Sequence, residues 1–209
     1  MQGPQWYAPP GAPEPAPSAY GDDADVMLEP GGFGIRAGAH VIDVIATTIA
    51  GAVAGAIGGF SVALLGAAGV IGPGWETRIG KQTIGTFAFG FLGSLLYHTV
   101  AEALGGATIG KAICGLRVLT EDRRPCTLVK ALVRNLAYYL DSLFFGAVAW
   151  SSMSSSPTKQ RHGDKWAGTI VVRSRGMPAA MKQNPAGGIA LGIALYGVVQ
   201  VVATVVKVI

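Results

Sequence analysis

From Val44 to Trp75 the chain runs without a formal charge and is mostly Gly, Ala, Val, Ile and Leu. About 20 apolar residues in a helix cross a hydrocarbon core, so this run predicts a membrane span. Residues 82 to 101 and 183 to 206 are two further uncharged runs, each about one span long. Ser142 to Pro157 is also uncharged, but this stretch is shorter and ends in a Ser-rich run. The pattern predicts an all-α fold: a polytopic α-helical membrane protein with three spans plus a re-entrant helical hairpin over residues 131 to 153, or four spans.

Two basic loops set the topology. Residues 105 to 130 hold Lys111, Arg117, Arg123, Arg124 and Lys130 against Glu121 and Asp122. Residues 154 to 186 hold Lys159, Arg161, Lys165, Arg173, Arg175 and Lys182 against Asp164. An excess of Lys and Arg marks cytoplasmic loops, whereas Gly72 to Lys81 is short and nearly balanced, as an outer loop is. The N-terminus is therefore expected inside. A full crossing by residues 131 to 153 would put the two basic loops on opposite sides. Leu116 to Leu119 and Thr169 to Arg173 are aliphatic and β-branched and pair as strands only if they share a side, which favours the re-entrant form. Irregular backbone at membrane depth then has to pack within protein or line a cavity.

Composition agrees. Half of the residues are hydrophobic and 13% are charged, against about 25% charged in an average soluble domain. The net charge of +4 matches anionic inner-leaflet lipid, so the expected partner is the lipid bilayer and no nucleic acid is needed. Residues 1 to 33 differ from the rest, with seven prolines, five acidic residues and no Lys or Arg. They read as a disordered acidic tail without the basic and apolar regions of a signal peptide. The organisation is a tail over 1–33, a membrane domain over 34–173, a linker over 174–186 and an additional C-terminal transmembrane helix over 187–209.

Glycine spacing describes the packing. Gly51, Gly55 and Gly59 recur every fourth residue, and Gly34/Gly38 and Gly188/Gly192 repeat the spacing that lets helix backbones approach closely. The same spacing also serves a homo-oligomer.

The candidate site is a set of ionisable residues in these apolar segments. Asp43 opens the first one, and an unpaired carboxylate inside a bilayer costs at least ~2.5 kcal/mol. Arg36 and Asp43 are about 10 Å apart along a helix and about 20° apart around it, so they share a face without touching. Arg134 and Asp141 repeat the spacing, and His98 and Glu102 share a face of the second span. Entry from one side brings Arg36, Asp43, His98, Glu102, Arg134 and Asp141 into one pocket about a third of the way into the bilayer.

Two chemistries follow. Carboxylates at one depth do not both ionise cheaply, so the pair holds a proton or shares a small cation, with His98 as a relay. Alternatively Arg36–Asp141 or Arg134–Asp43 pairs fix helix positions. Nothing points to an enzyme, a cofactor or a metal. There is no G-x-x-x-x-G-K-[ST] loop, and the serines at 151 to 156 have no neighbouring base. Cys114 and Cys126 lack any recognised zinc spacing with His162.

FGIRAGAHVIDVI at 33–45, GATIGKAICGLRVLTEDRRPCTLVKALVRNLAYYLD at 106–141 and QRHGDKWAGTIVVR at 160–173 resemble, in order and spacing, the RDD family of bacterial membrane proteins, named for an arginine and two aspartates. The resemblance covers about residues 33 to 173. It implies that Arg36 and Asp43 are the first two signature residues, with Asp164 the third and Asp141 its competitor. It also implies a bacterial cell-membrane protein that transports a small ion or solute, with sodium/proton exchange suggested for some members. The alternative is a non-transporting scaffold or accessory subunit whose buried charges are structural.

Overall fold

The computed structural model describes residues 27–79, 81 and 84–208. In chain order these form α1 (Phe33–Ala67), α2 (Trp75–Ile79), α3 (Ile84–Gly105), α4 (Ile109–Ile113), β1 (Leu116–Thr120), α5 (Leu128–Asp141), α6 (Leu143–Ser154), α7 (His162–Ala167), β2 (Thr169–Arg173) and α8 (Pro185–Val206). Three helical stretches, built on α1, α3 and α8, are long and apolar enough to cross a membrane, and the chain is an all-α polytopic protein.

The three long helices pack on one another through small residues. A methyl on Gly58 would press on Thr204 and one on Gly51 on Tyr196, whereas Gly55 has nothing within 4 Å. The face of α1 that meets α8 therefore runs through Gly51, Ala54, Gly58 and Val62 rather than along the Gly51/Gly55/Gly59 row. Gly188 and Gly192 behave as their spacing predicts, seating α8 against Ala101, Gly105 and the backbone of Tyr97. So α8 contacts both other spans and completes the bundle. Outward-facing Ile45, Ile49, Val53 and Ile57 stay exposed on α1, which is the apolar exterior a bilayer solvates.

A small polar layer closes one end of the bundle. β1 and β2 pair antiparallel, Leu116 opposite Arg173 and Thr120 opposite Thr169. Their inner faces join Ala39 of α1 and Ala131 of α5 in one buried cluster with Leu116, Val118 and Val171. The end of the acidic segment joins this layer: Gly31 N–H donates to Val171 O at 2.9 Å, and Arg173 N–H to Glu29 O at 2.8 Å. Disorder was expected through residue 33, but the chain is already ordered along β2 by Glu29; residues 1–26 lie outside the described residues. The stretch read as a linker is also packed, with Met177 and Met181 buried against Leu119 and Val172.

Residues 131 to 153 leave from and return to the same two-stranded sheet. Their flanking strands are hydrogen-bonded to each other, and α6 has only 12 residues. After Ser142, which separates α5 from α6, the first turn of α6 holds Phe144 and Gly146 at positive φ (51° and 84°), a conformation that glycine adopts without strain. Helix α5 is inside-out for a soluble protein, since its inner face buries Arg134, Asn135 and Asp141 while Val129, Leu132 and Leu136 are exposed. That is how a helix lying against lipid and covering a polar interior is built.

The topology makes a direct prediction. In a cysteine-free background, single cysteines replacing the exposed Asp122 and Arg175 react with an impermeant thiol reagent from the same side of the membrane, and one replacing Gly72 reacts from the other. Labelling of positions 122 and 175 from opposite sides would require the fourth span.

Candidate functional site

Each buried carboxylate at the closed end bridges different elements. Asp43 on α1 accepts from Tyr97 Oη (2.9 Å), Thr108 Oγ1 (2.6 Å) and Gly110 N–H (2.8 Å), tying α1 to α3 and the start of α4. Glu102 at the end of α3 meets Lys111 Nζ at 2.7 Å and Arg134 Nε at 3.5 Å, and accepts from Asn135 Nδ2 at 3.1 Å. Asp164 on α7 meets Arg36 Nη1 at 2.6 Å, Arg134 Nη2 at 3.1 Å and Arg161 Nε at 3.7 Å. Asp141 at the end of α5 accepts from Gly163 N–H and lies 3.2 Å from His162 Nδ1.

Local sequence dictates much of this placement. Thr108 caps α4, its Oγ1 accepting from Lys111 N–H, so the same hydroxyl that starts the helix holds Asp43. Gly110 has no side chain because α1 runs directly above it; a methyl there would overlap the Ala39 carbonyl oxygen. Gly163 likewise lets α7 sit on the backbone of Arg134. Asp164 accepts from Arg161 N–H at 3.2 Å, closing the first turn of α7.

The geometry corrects the expected pairings. Neither Arg36–Asp141 nor Arg134–Asp43 forms: both arginines converge on Asp164, and Asp43 is held by neutral donors. Among the described residues no shared pair of carboxylates is seen, because Asp43 and Asp141 belong to separate hydrogen-bond sets. Among the described residues, no group of three or more His, Cys, Asp or Glu side chains is placed to hold a metal ion. The depth also changes. Residues from Val44 to Ala67 alone span about 36 Å as helix, enough to cross the hydrocarbon, so Arg36 and Asp43 belong to the mouth of the bundle.

Asp164 is fully buried, and burial alone would raise its pKa. The Arg134, Arg161 and Arg36 guanidiniums outweigh that and hold the carboxyl well below its ordinary value. Arg134 is also fully buried, and its contacts are close ion pairs rather than aligned hydrogen bonds; Nη1 makes no hydrogen bond. His98 Nδ1 lies 2.9 Å from Ser94 O. A carbonyl only accepts, so Nδ1 carries the proton. His98 Nε2 is then left unprotonated in the neutral ring, buried without a hydrogen bond, 4.0 Å from Asp43 Oδ2.

Beside this network lies a cavity of about 510 Å³. Its polar wall includes Arg36, His40, His98, Lys111, Arg134, Tyr138, Asp141 and Arg161, and its apolar wall includes Phe33, Val41, Val44, Leu95 and Met153. Arg161 stacks over the Tyr138 ring, 5.3 Å from its centroid, and His40 lies between the Tyr138 and His98 rings. Sequence reasoning missed His40, Tyr97, Thr108, Lys111 and Arg161 as parts of the site. His40 was detectable, falling between Arg36 and Asp43 on their shared face. Lys111 and Arg161 fall in the two basic loops, where topology alone accounts for their charge.

The model of the family described as the RDD family matches residues 30–168 of this chain. No curated protein and no solved structure matches it. The matched region holds all four bridging carboxylates and the residues that meet them; α8, which packs beside them, lies outside it.

Proposed function

Because the chain belongs to the RDD family, and its three apolar helices make it an integral, multi-pass membrane protein, we propose that it is a carrier of a small solute rather than an enzyme. The observation that carries this reading is the charged chamber, about 510 Å³ in volume, at one end of the bundle; small-molecule sites are concave spaces of about 300–1,000 Å³ with a few placed polar groups. The basic loops beside it orient that end towards the cytoplasm of a bacterial cell. Three spans enclose no complete path, so a second copy is expected to complete it.

Proton coupling is the narrower form of this reading. His98 Nε2 is the free basic atom of the network and faces the Asp43 carboxylate, so a proton taken up there is balanced by a charge already in place. A cation exchanged at Asp43 itself would have to displace the donors from Tyr97, Thr108 and Gly110.

The second reading is an accessory subunit. It is favoured by the sharing of Asp164 among arginines from α1, α5 and the start of α7, an arrangement that fixes elements whether or not anything moves. Proteoliposomes loaded with a pH-sensitive dye and given Na⁺, K⁺ or organic-solute gradients separate the two. A carrier gives a gradient-dependent signal that His98→Gln lowers. A signal equal to that of empty liposomes for every gradient supports the accessory subunit.

A further inference from the structure

The charges that line the chamber are mostly positive. Four cations, Arg36, Lys111, Arg134 and Arg161, meet only two carboxylates, Glu102 and Asp164. Asp43 is held by neutral donors, and Asp141 is engaged with His162 and Gly163. In total four cations face four carboxylates, but the wall that an occupant meets carries Arg36, Lys111, Arg134 and Arg161 against Asp141 alone. One of the four, Arg134, lies fully buried in the chamber wall with Nη1 making no hydrogen bond. Arg161 is tied less tightly than the others, reaching Asp164 only at 3.7 Å and resting on an aromatic face.

The rest of the wall is apolar and continues outward. Val41 and Val44 line the chamber and are 58% and 49% exposed on the outer surface of α1, the surface that faces lipid. Any occupant therefore meets a cationic floor and an apolar doorway.

We propose that the chamber binds an anionic amphiphile, with one phosphate- or carboxylate-type group held by Arg161 and Lys111 and an apolar chain leaving past Val41 and Val44. This names the ligand class of the site proposed above and rests on that reading only in taking the chamber as the working site. The ligand is a lipid of the surrounding membrane or a water-soluble amphiphile.

The test is binding to the full chain in neutral detergent, read as tryptophan fluorescence or as a shift in Tm. The probes are dihexanoyl phosphatidylglycerol, decyl phosphate, dihexanoyl phosphatidylcholine and inorganic phosphate. The inference expects saturable binding of an anionic amphiphile, with neither phosphatidylcholine nor inorganic phosphate matching it. Tighter binding of phosphatidylglycerol assigns a lipid source, and tighter binding of decyl phosphate a soluble one.

Arg161→Gln is expected to weaken that binding roughly tenfold or more, the scale of a lost charge-assisted contact. Arg161→Lys restores most of it, and the exposed Arg124→Gln leaves it unchanged. Lys111→Gln repeats the test should Arg161→Gln fail to accumulate. Equal binding of phosphatidylcholine overturns the inference, as does equal binding of inorganic phosphate or full binding by both glutamine variants. Solute flux without any such binding overturns it while leaving the carrier standing; binding without flux supports it and removes the carrier.

Discussion

Asp164→Asn is expected to lower the stability of the folded protein by about 3–5 kcal/mol and to cut its yield in membranes. The substitution keeps volume but removes the one negative charge that Arg36, Arg134 and Arg161 share. Breaking a buried pair costs more than forming it gains, because the remaining charge stays buried without its partner. Here three guanidiniums lose an acceptor at once, and Arg134 keeps only Glu102. The same carboxyl sets a pH dependence. Its pKa is held below the unfolded value, so its contribution is complete above pH ~4, the ordinary carboxylate range, and is lost as pH falls further. The stability of the wild type in detergent is expected to be level from neutral pH down to about 5 and to fall below about 4. Asp164→Asn flattens that acid limb, and an unchanged limb would mean that another group controls it.

The second large effect is steric. In Gly110→Ala, the new methyl overlaps the Ala39 carbonyl oxygen and approaches the Asp43 carboxyl group. Both obstacles are fixed, one by the α1 backbone and the other by three hydrogen bonds. Relief requires α4 to move away from α1, which breaks the Gly110 N–H bond to Asp43. A loss of about 3 kcal/mol or more is expected, at the upper end of overpacking costs. Gly55→Ala is the matched control, since nothing lies within 4 Å of a methyl there and alanine is the better helix former by about 1 kcal/mol. Similar destabilisation by the two changes would show that α4 does not pack as described.

What could be read from the sequence divides along a physical line. Runs without charge announce spans because a charge in hydrocarbon is costly, and α1, α3 and α8 fall where those runs lie. The strand pieces flanking residues 131 to 153 announce a hairpin, because their β-branched character makes sense only if they pair, and they do. The membership of the charge network was partly legible for the same reason as the spans, as Arg36, Glu102 and Arg134 stand out in apolar surroundings. Its pairing was not, because helical spacing orders residues along one helix, whereas Arg36 and Asp164 are 128 positions apart. Depth is not set by an uncharged run alone, because a 35-residue helix is longer than a hydrocarbon core needs and its first turns pack into the polar layer. Lys111 and Arg161 were hidden because a basic residue in a loop already has an explanation in topology.

The central claim is that Arg36 and Asp164 are one energetic unit joining α1 to α7. A double-mutant cycle tests it most directly, comparing wild type, Arg36→Gln, Asp164→Asn and the double variant by equilibrium unfolding in mixed micelles. The account predicts that the double variant is less destabilised than the sum of the two singles, by on the order of 2–3 kcal/mol. Additivity within about 0.5 kcal/mol would contradict it.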